Sequence, residues 1–385
     1  MKKIIFLALI LSLVTACGQK QLSPKKVVED GVEVILNQFE PYKIEGEPTT
    51  FSLSEVLIID TEKDELAEAG LTDPKTFDVD SEGNIYILNE GQTESFIFKF
   101  DEQGNFKTSF GRKGQGPGEI QVPSGFAIGY QDEILVTDYG NKKLIIFGGT
   151  GNLIQETSTD INIWEINPLK NGKYLITKRL IDPEGQYLYQ FPILLCDNEY
   201  EEIKELDRQK IPNFLNKKGM TLSPYIFMYS ISSDRIFIGN SVRGYDIWVY
   251  DFDGHLLRKI KKEYKSGDKE EFIKDIKESL PEETSQEEKV KFPSQFPPFK
   301  TLFSDDDGRL FVMTSEKGKS SGEYVVDLFN SDGIFVGRTT LKSLFTMLTP
   351  GPLVPYIKIK KDRLLCLLRK DSGYKALVVY RMNWE

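Results

Sequence analysis

One four-part pattern returns six times along the chain, and few folds accommodate that. In each unit an alternating apolar segment meets a polar turn and then a β-rich run. A variable loop leads to a third apolar run, and a tight turn leads to a fourth. The second runs are NIYIL (84–88), EILVT (133–137), KYLIT (173–177), RIFIG (235–239), RLFVM (309–313) and RLLCL (363–367). The third runs are FIFKF, KLIIF, FPILL, DIWVY, YVVDLF and KALVVY. Turns such as DSEGN, DEQGNF, DFDGHL, DDDGR and NSDGIF are rich in aspartate, asparagine and glycine, which tolerate positive φ at low cost. Aromatic residues, 12% of the chain, favour strands.

Four strands recurring every ~40 to 75 residues describe a β-propeller and not a solenoid. Five of the six units show the second turn, and the sixth runs out of chain at 381–385. A closed ring therefore needs an early strand to complete the last blade, and FSLSEVLIID, Phe51–Asp60, supplies it. The expected fold is all-β, a six-bladed propeller of four-stranded blades over 51–385. A helical insertion is expected at about 267–292, where Phe272, Ile273, Ile276 and Leu280 keep helical spacing before Pro281.

The stretch GRKGQGPGEIQVPSGFAI (111–128) has the glycines of a phosphate loop but not its setting. A phosphate loop needs a strand, then glycines, then a helix whose N-terminus faces the anion. Here the glycines run from FKTSFG into another alternating strand, with no Gly-Lys-Ser/Thr, so they serve the crossing between two blades.

At the N-terminus, MKKIIFLALILSLVTAC places two lysines before an apolar run over 4–14 that is too short to span a bilayer, so 1–16 reads as a secretory signal. Val14-Thr15-Ala16-Cys17 resembles the lipobox of bacterial lipoproteins. That resemblance implies lipid attachment at Cys17, with cleavage before it. Gly18 is not the aspartate that retains such proteins in the inner membrane, so the resemblance implies the outer membrane, facing the periplasm. The membrane is then met through the lipid anchor alone. Residues 17–50 read as the lipidated cysteine, a tether punctuated by Pro24, Pro41 and Pro48, and a small hairpin in VVEDGVEVI.

The formal charge is −10, and losing Lys2 and Lys3 takes 49 basic residues to 47 against 59 acidic, near −12. Such a surface repels nucleic acid and anionic lipid headgroups, which argues against either as a general partner. Export would place Cys196 and Cys366 in an oxidising compartment. They fall in blades three and six, on opposite sides of the ring, too far apart for a disulfide.

The segment FGRKGQGPGEIQVPSGFAI is similar to the inter-blade segment of NHL-type repeats, and the chain from about Lys26 onward resembles bacterial lipoproteins described as six-bladed β-propellers. The hairpin EDGVEV, the motif GPGEI and PPFKTLFSDDDGRLFV carry that likeness. It implies a fold and no reaction.

The side-chain inventory narrows the chemistry. His255 is the single histidine and sits in the DFDGHL turn, so no two-histidine metal site can form and a Ser-His-Asp triad would have to use that residue. The one G-x-S-x-G string, Gly318 to Gly322, falls in the loop between the second and third runs of the fifth unit and is not a strand-to-helix elbow. The carboxylate-rich turns are accounted for as turns, and no metal and no cofactor is expected. Binding is the better reading. The loops joining second to third strands, with those between blades, ring one mouth of the channel. They carry Asp138, Tyr139, Lys178, Arg179, Asn240, Arg243, Lys317, Arg369 and Lys370, and the glycine-rich crossing adds Arg112 and Lys113. The expectation is a monomeric, non-catalytic envelope protein that engages a protein or glycan through that mouth. The alternative is a glycan- or ester-cleaving propeller using carboxylates or bound calcium.

Overall fold

The computed structural model describes residues 23–91, 94–159, 163–185, 187–212, 220–221, 227–265, 290–291, 297–320, 322–342, 357–370 and 372–385. The signal segment and Cys17 lie outside them, as does the expected insertion apart from residues 290–291.

The chain opens with a hairpin of β1 (Lys25–Glu29) and β2 (Val32–Asn37), then β3 (Phe51–Asp60) and a one-turn helix, α1 (Asp64–Glu68). Blade one is β4 (Pro74–Val79), β5 (Ile85–Asn89), β6 (Ser95–Phe100) and β7 (Phe106–Arg112). Blade two is β8 (Pro123–Ile128), β9 (Ile134–Asp138), β10 (Lys143–Phe147) and β11 (Leu153–Ser158). Blade three is β12 (Ile163–Pro168), β13 (Tyr174–Lys178), β14 (Tyr187–Cys196) and β15 (Glu202–Pro212). A short strand β16 (Met220–Thr221) precedes blade four, β17 (Phe227–Ile231), β18 (Ile236–Asn240), β19 (Asp246–Tyr250) and β20 (Leu256–Lys262). β21 (Val290–Lys291) pairs in parallel with β16, joining two of the crossings between blades. Blade five is β22 (Phe299–Ser304), β23 (Leu310–Lys317), β24 (Glu323–Phe329) and β25 (Phe335–Lys342). Blade six is β26 (Ile357–Lys360), β27 (Arg363–Arg369) and β28 (Lys375–Trp384), completed by β3. The protein is a six-bladed propeller closed by an N-terminal strand.

Two-sided burial explains why the second strands read as unbroken apolar runs. On β5, Ile85 and Ile87 pack toward blade six, while Tyr86 and Leu88 pack toward blade two. On β27, Leu364 and Cys366 face blade five, and Leu365 and Leu367 face blade one. The period of two thus sends alternate residues into different interfaces. Six hydrophobic clusters result, one at each junction between neighbouring blades. Cys196 and Cys366 are both free and buried.

One turn chemistry recurs on the face opposite the mouth. The first-residue carboxylates of Asp101, Asp197, Asp251 and Asp305 each accept backbone N–H groups two and four residues on, and Asn330 does the same with its amide oxygen. Asp80 accepts three, from Glu82, Gly83 and Asn84. Such caps explain why these turns are acidic.

The segment before β3, read above as a tether, is laid across the ring. β2 pairs in parallel with β20, so the hairpin extends blade four to six strands and covers its outer edge. Val34 and Ile35 are fully buried there. Asn37 is a buried clasp: its Nδ2 donates to the Gly333 carbonyl at 3.0 Å, and its Oδ1 accepts the Phe335 N–H at 2.8 Å. Tyr42 N–H donates to the Phe335 carbonyl, and Thr49 and Thr50 reach Glu385. The segment runs so close over blade five that a Cβ on Gly337 would fall 1.7 Å from the Thr49 oxygen. Composition hides this docking, because the polar residues that signal a tether here make the clasp.

Candidate functional site: the mouth between blades two and four

The loops that follow β9, β13, β18 and β27 lead from second to third strands, and loop 113–122 crosses from blade one to blade two. They share one face: Asn141 Nδ2 donates to the Gly114 carbonyl at 2.9 Å and Lys143 Nζ to that of Gly116 at 2.9 Å.

The glycine-rich crossing contains an anion cradle that the protein fills itself. Gly116 N–H donates to Glu119 Oε2 and Gly118 N–H to Glu156 Oε2, each at 2.8 Å. The buried carboxylate of Asp138 accepts the N–H groups of Gln121 and Val122 at 2.8 Å. No donor in that set is left to seat a phosphate, and the chain enters β8 without a helix.

The structure separates the eleven mouth residues by how they are engaged. Asp138 is a loop cap, buried and saturated, so it has no free oxygen to offer a ligand. Asn240 caps the next loop through the Val242 N–H. Lys370 is held by Asp60 and Glu62 of the closing strand and its turn. Arg243 pairs with Asp207 at 2.7 Å and stacks 4.1 Å over the Trp248 ring. Lys317 lies over Tyr324. Arg112, Lys113 and Arg369 are exposed and Lys178 half-buried, and among the described residues none of the four pairs with an acid.

Arg179 stands apart. Its guanidinium carbon lies 5.4, 5.0 and 5.1 Å from the ring centroids of Tyr139, Trp164 and Tyr189. Those rings come from the loop of blade two, the first strand of blade three and its third strand, so the cluster straddles the two blades at the mouth. Trp164 and Tyr189 also pack edge-on or tilted against Phe191. Three aromatic faces stabilise the cation, and no carboxylate among the described residues neutralises it. The arrangement offers a charged, five-donor fork and a tyrosine ring that is 46% exposed. Sequence reasoning missed Trp164, Tyr189 and Asp207. The tryptophan at the second residue of an inner strand, where blades one, two, five and six carry Lys75, Ser124, Lys300 and Lys358, was the available signal.

Below the mouth, Glu165 is buried on β12. Burial pushes its carboxyl up to about 8, against the Tyr229 hydroxyl that donates to it at 2.6 Å. Asn167 Nδ2 donates to the same tyrosine oxygen at 2.8 Å, tying blade three to blade four. On the opposite face, Asp251, Asp253 and His255 come within metal-binding distance of one another. Asp251 already accepts two backbone N–H groups and lies 2.9 Å from His255 Nδ1, so the turn explains the cluster.

The ring and its loops define a six-bladed propeller whose mouth holds Arg179 on aromatic rings of blades two and three. Residues 78–223 match the DUF5128 family model, described as a 6-bladed beta-propeller. No curated protein matches the chain. Among solved structures, a member of the duf4221 family from Bacteroides vulgatus ATCC 8482 is similar, at 16% identity and TM-score 0.53, over 88% of this chain and 99% of that one. A Bacteroides fragilis NCTC 9343 protein, inferred to be exported, is similar at 12% identity and TM-score 0.50, over 91% of this chain and 99% of its own. At these identities the likeness is one of fold.

Proposed function

We propose that this is an exported lipoprotein, anchored through Cys17 at the outer membrane on the periplasmic side, and that it works as a non-catalytic binding protein. A neighbour in fold inferred to be exported supports the address. Among the described residues no helix is long and apolar enough to cross a membrane, in keeping with attachment by lipid.

The mouth is the binding face, and the observation that carries this is Arg179 within its three rings. A cation held on aromatic faces, with an exposed tyrosine beside it and, on the same face, Arg112, Lys113 and Lys178 without an acidic partner among the described residues, favours a ligand bearing carboxylate or phosphate groups. Of the two partner types, a glycan fits better than a peptide, because sugar faces stack on tyrosine while the guanidinium forks onto an acid. The test is retention of acidic envelope glycans by the purified protein. Arg179→Ala and Tyr139→Ala should abolish retention while leaving the fold intact; undiminished retention by both would refute the assignment. Palmitate labelling that persists in Cys17→Ala would refute the anchor.

A further inference from the structure

The direction of β1 fixes where the anchor enters. Lys25 pairs with Leu36, Leu36 with Lys261, and Lys261 with Asp246, the residue that follows mouth loop 241–245. Lys25 therefore stands at the level of the mouth, and β1 runs away from it toward the turn at Asp30 and Gly31. Eight peptide steps separate Cys17 from Lys25, a leash of at most about 28 Å when fully extended. To turn the opposite face to the membrane, that leash would first have to run the length of β20, about 23 Å, and then pass the turns beyond it.

A second observation points the same way. Val122, Tyr139, Ile181, Val242, Tyr264 and Tyr374 are exposed on the mouth loops, with Ile181 at 76% and Val242 at 63%, whereas of the exposed large hydrophobics at the opposite end only Tyr130 lies in a turn, Phe106 and Leu153 being the first residues of β7 and β11 and Val28 lying in β1 beside the hairpin turn. Tyrosine and aliphatic tips among unpaired lysine and arginine are the composition that settles at the headgroup layer. We infer that the leash holds the propeller with its mouth turned toward the bilayer carrying the anchor, so that the acidic glycan it takes is one presented at that membrane surface. This rests on the lipid anchor proposed above.

The buried Cys196 and Cys366 make the test clean, since an added surface thiol is the one that labels, the Cys17 sulfur being blocked by its lipid. Lipidated full-length Ile181→Cys and Glu199→Cys, on opposite faces of blade three, are labelled with a fluorophore. Each is reconstituted into phosphatidylcholine and phosphatidylglycerol vesicles containing a headgroup-nitroxide lipid. Flotation with the vesicles reports the anchor, and quenching reports orientation. The label at 181 should lose its emission while that at 199 keeps it. Equal quenching, or quenching confined to 199, in protein that floats would overturn the orientation alone; protein that fails to float would overturn the anchor and this inference with it.

Discussion

Trp384 lies opposite Phe51 on the end rung of the ladder between β28 and β3, their ring centroids 5.6 Å apart. Phe51 also meets Phe311 of blade five edge-on at 5.6 Å, so the strand that closes blade six is pinned to its neighbour as well. Ring closure is thus a packing event as much as a hydrogen-bonding one.

Truncating that contact should weaken the whole ring. Phe51→Ala removes a nearly buried aromatic from the junction of blades five and six and should cost about 3–5 kcal/mol, read as a lower urea midpoint in a single transition. Local loosening with an unchanged midpoint would show that closure contributes little.

The buried Glu165 predicts a pH dependence whose sign is unusual for a carboxylate. Its folded pKa, about 8, lies above the unfolded value of 4.5, so the folded state holds a proton that the unfolded state releases. Stability should therefore fall as pH rises between those values. Glu165→Gln should remove this slope and melt higher than the parent at pH 8, with the difference shrinking toward pH 5. A parent protein that gains stability over that interval would contradict the assignment.

Asp327 is fully buried and gathers three partners: Arg338 Nε at 2.7 Å, the Tyr245 hydroxyl at 2.8 Å and Lys262 Nζ at 3.4 Å. Burial pulls Lys262 below the usual lysine range, and Asp327 opposes that pull. Asp327→Asn leaves two cations at a buried site without their shared counter-charge and should cost about 3–5 kcal/mol, measured by urea unfolding. A cost under about 1 kcal/mol would show that water reaches the site.

Burial also pushes the thiols of Cys196 and Cys366 up, to about 11 and about 12. Neither should react with an alkylating reagent in native protein at pH 8, and both should react in denaturant. A disulfide between them in folded protein is incompatible with blades on opposite sides of the ring.

Arg179→Ala should separate binding from folding. The lost cation–π contacts are worth about 1–2 kcal/mol, so the melting temperature should move little while ligand retention disappears. Arg179→Lys tests geometry: it keeps the charge but not the fork, and should bind measurably worse.

Strands and closure were legible because each blade's second strand is buried on both faces, which writes a run such as NIYIL or RLLCL directly into the sequence. The need for β3 followed from the missing outer strand of the sixth unit. What could not be read was lateral docking. Nothing in VEVILN distinguishes a free hairpin from one that pairs with β20, since both alternate in the same way, and the clasp made by Asn37 depends on partners almost 300 residues away. The mouth residues were chosen by loop position and charge. That criterion found Arg179 but could not tell it from Asp138 and Lys370, whose carboxylate and ammonium are consumed inside the protein. Trp164 and Tyr189 lie within strands, where aromatic residues read as core.

Hydrogen exchange across β3 tests the closed ring most directly. The amides of residues 53–59 that bond to β28 should exchange only through the global opening, with protection equal to that of β28 itself. Rapid exchange of β3 while β26, β27 and β28 stay protected would mean that blade six stands without its fourth strand, and the closed six-bladed ring would be wrong.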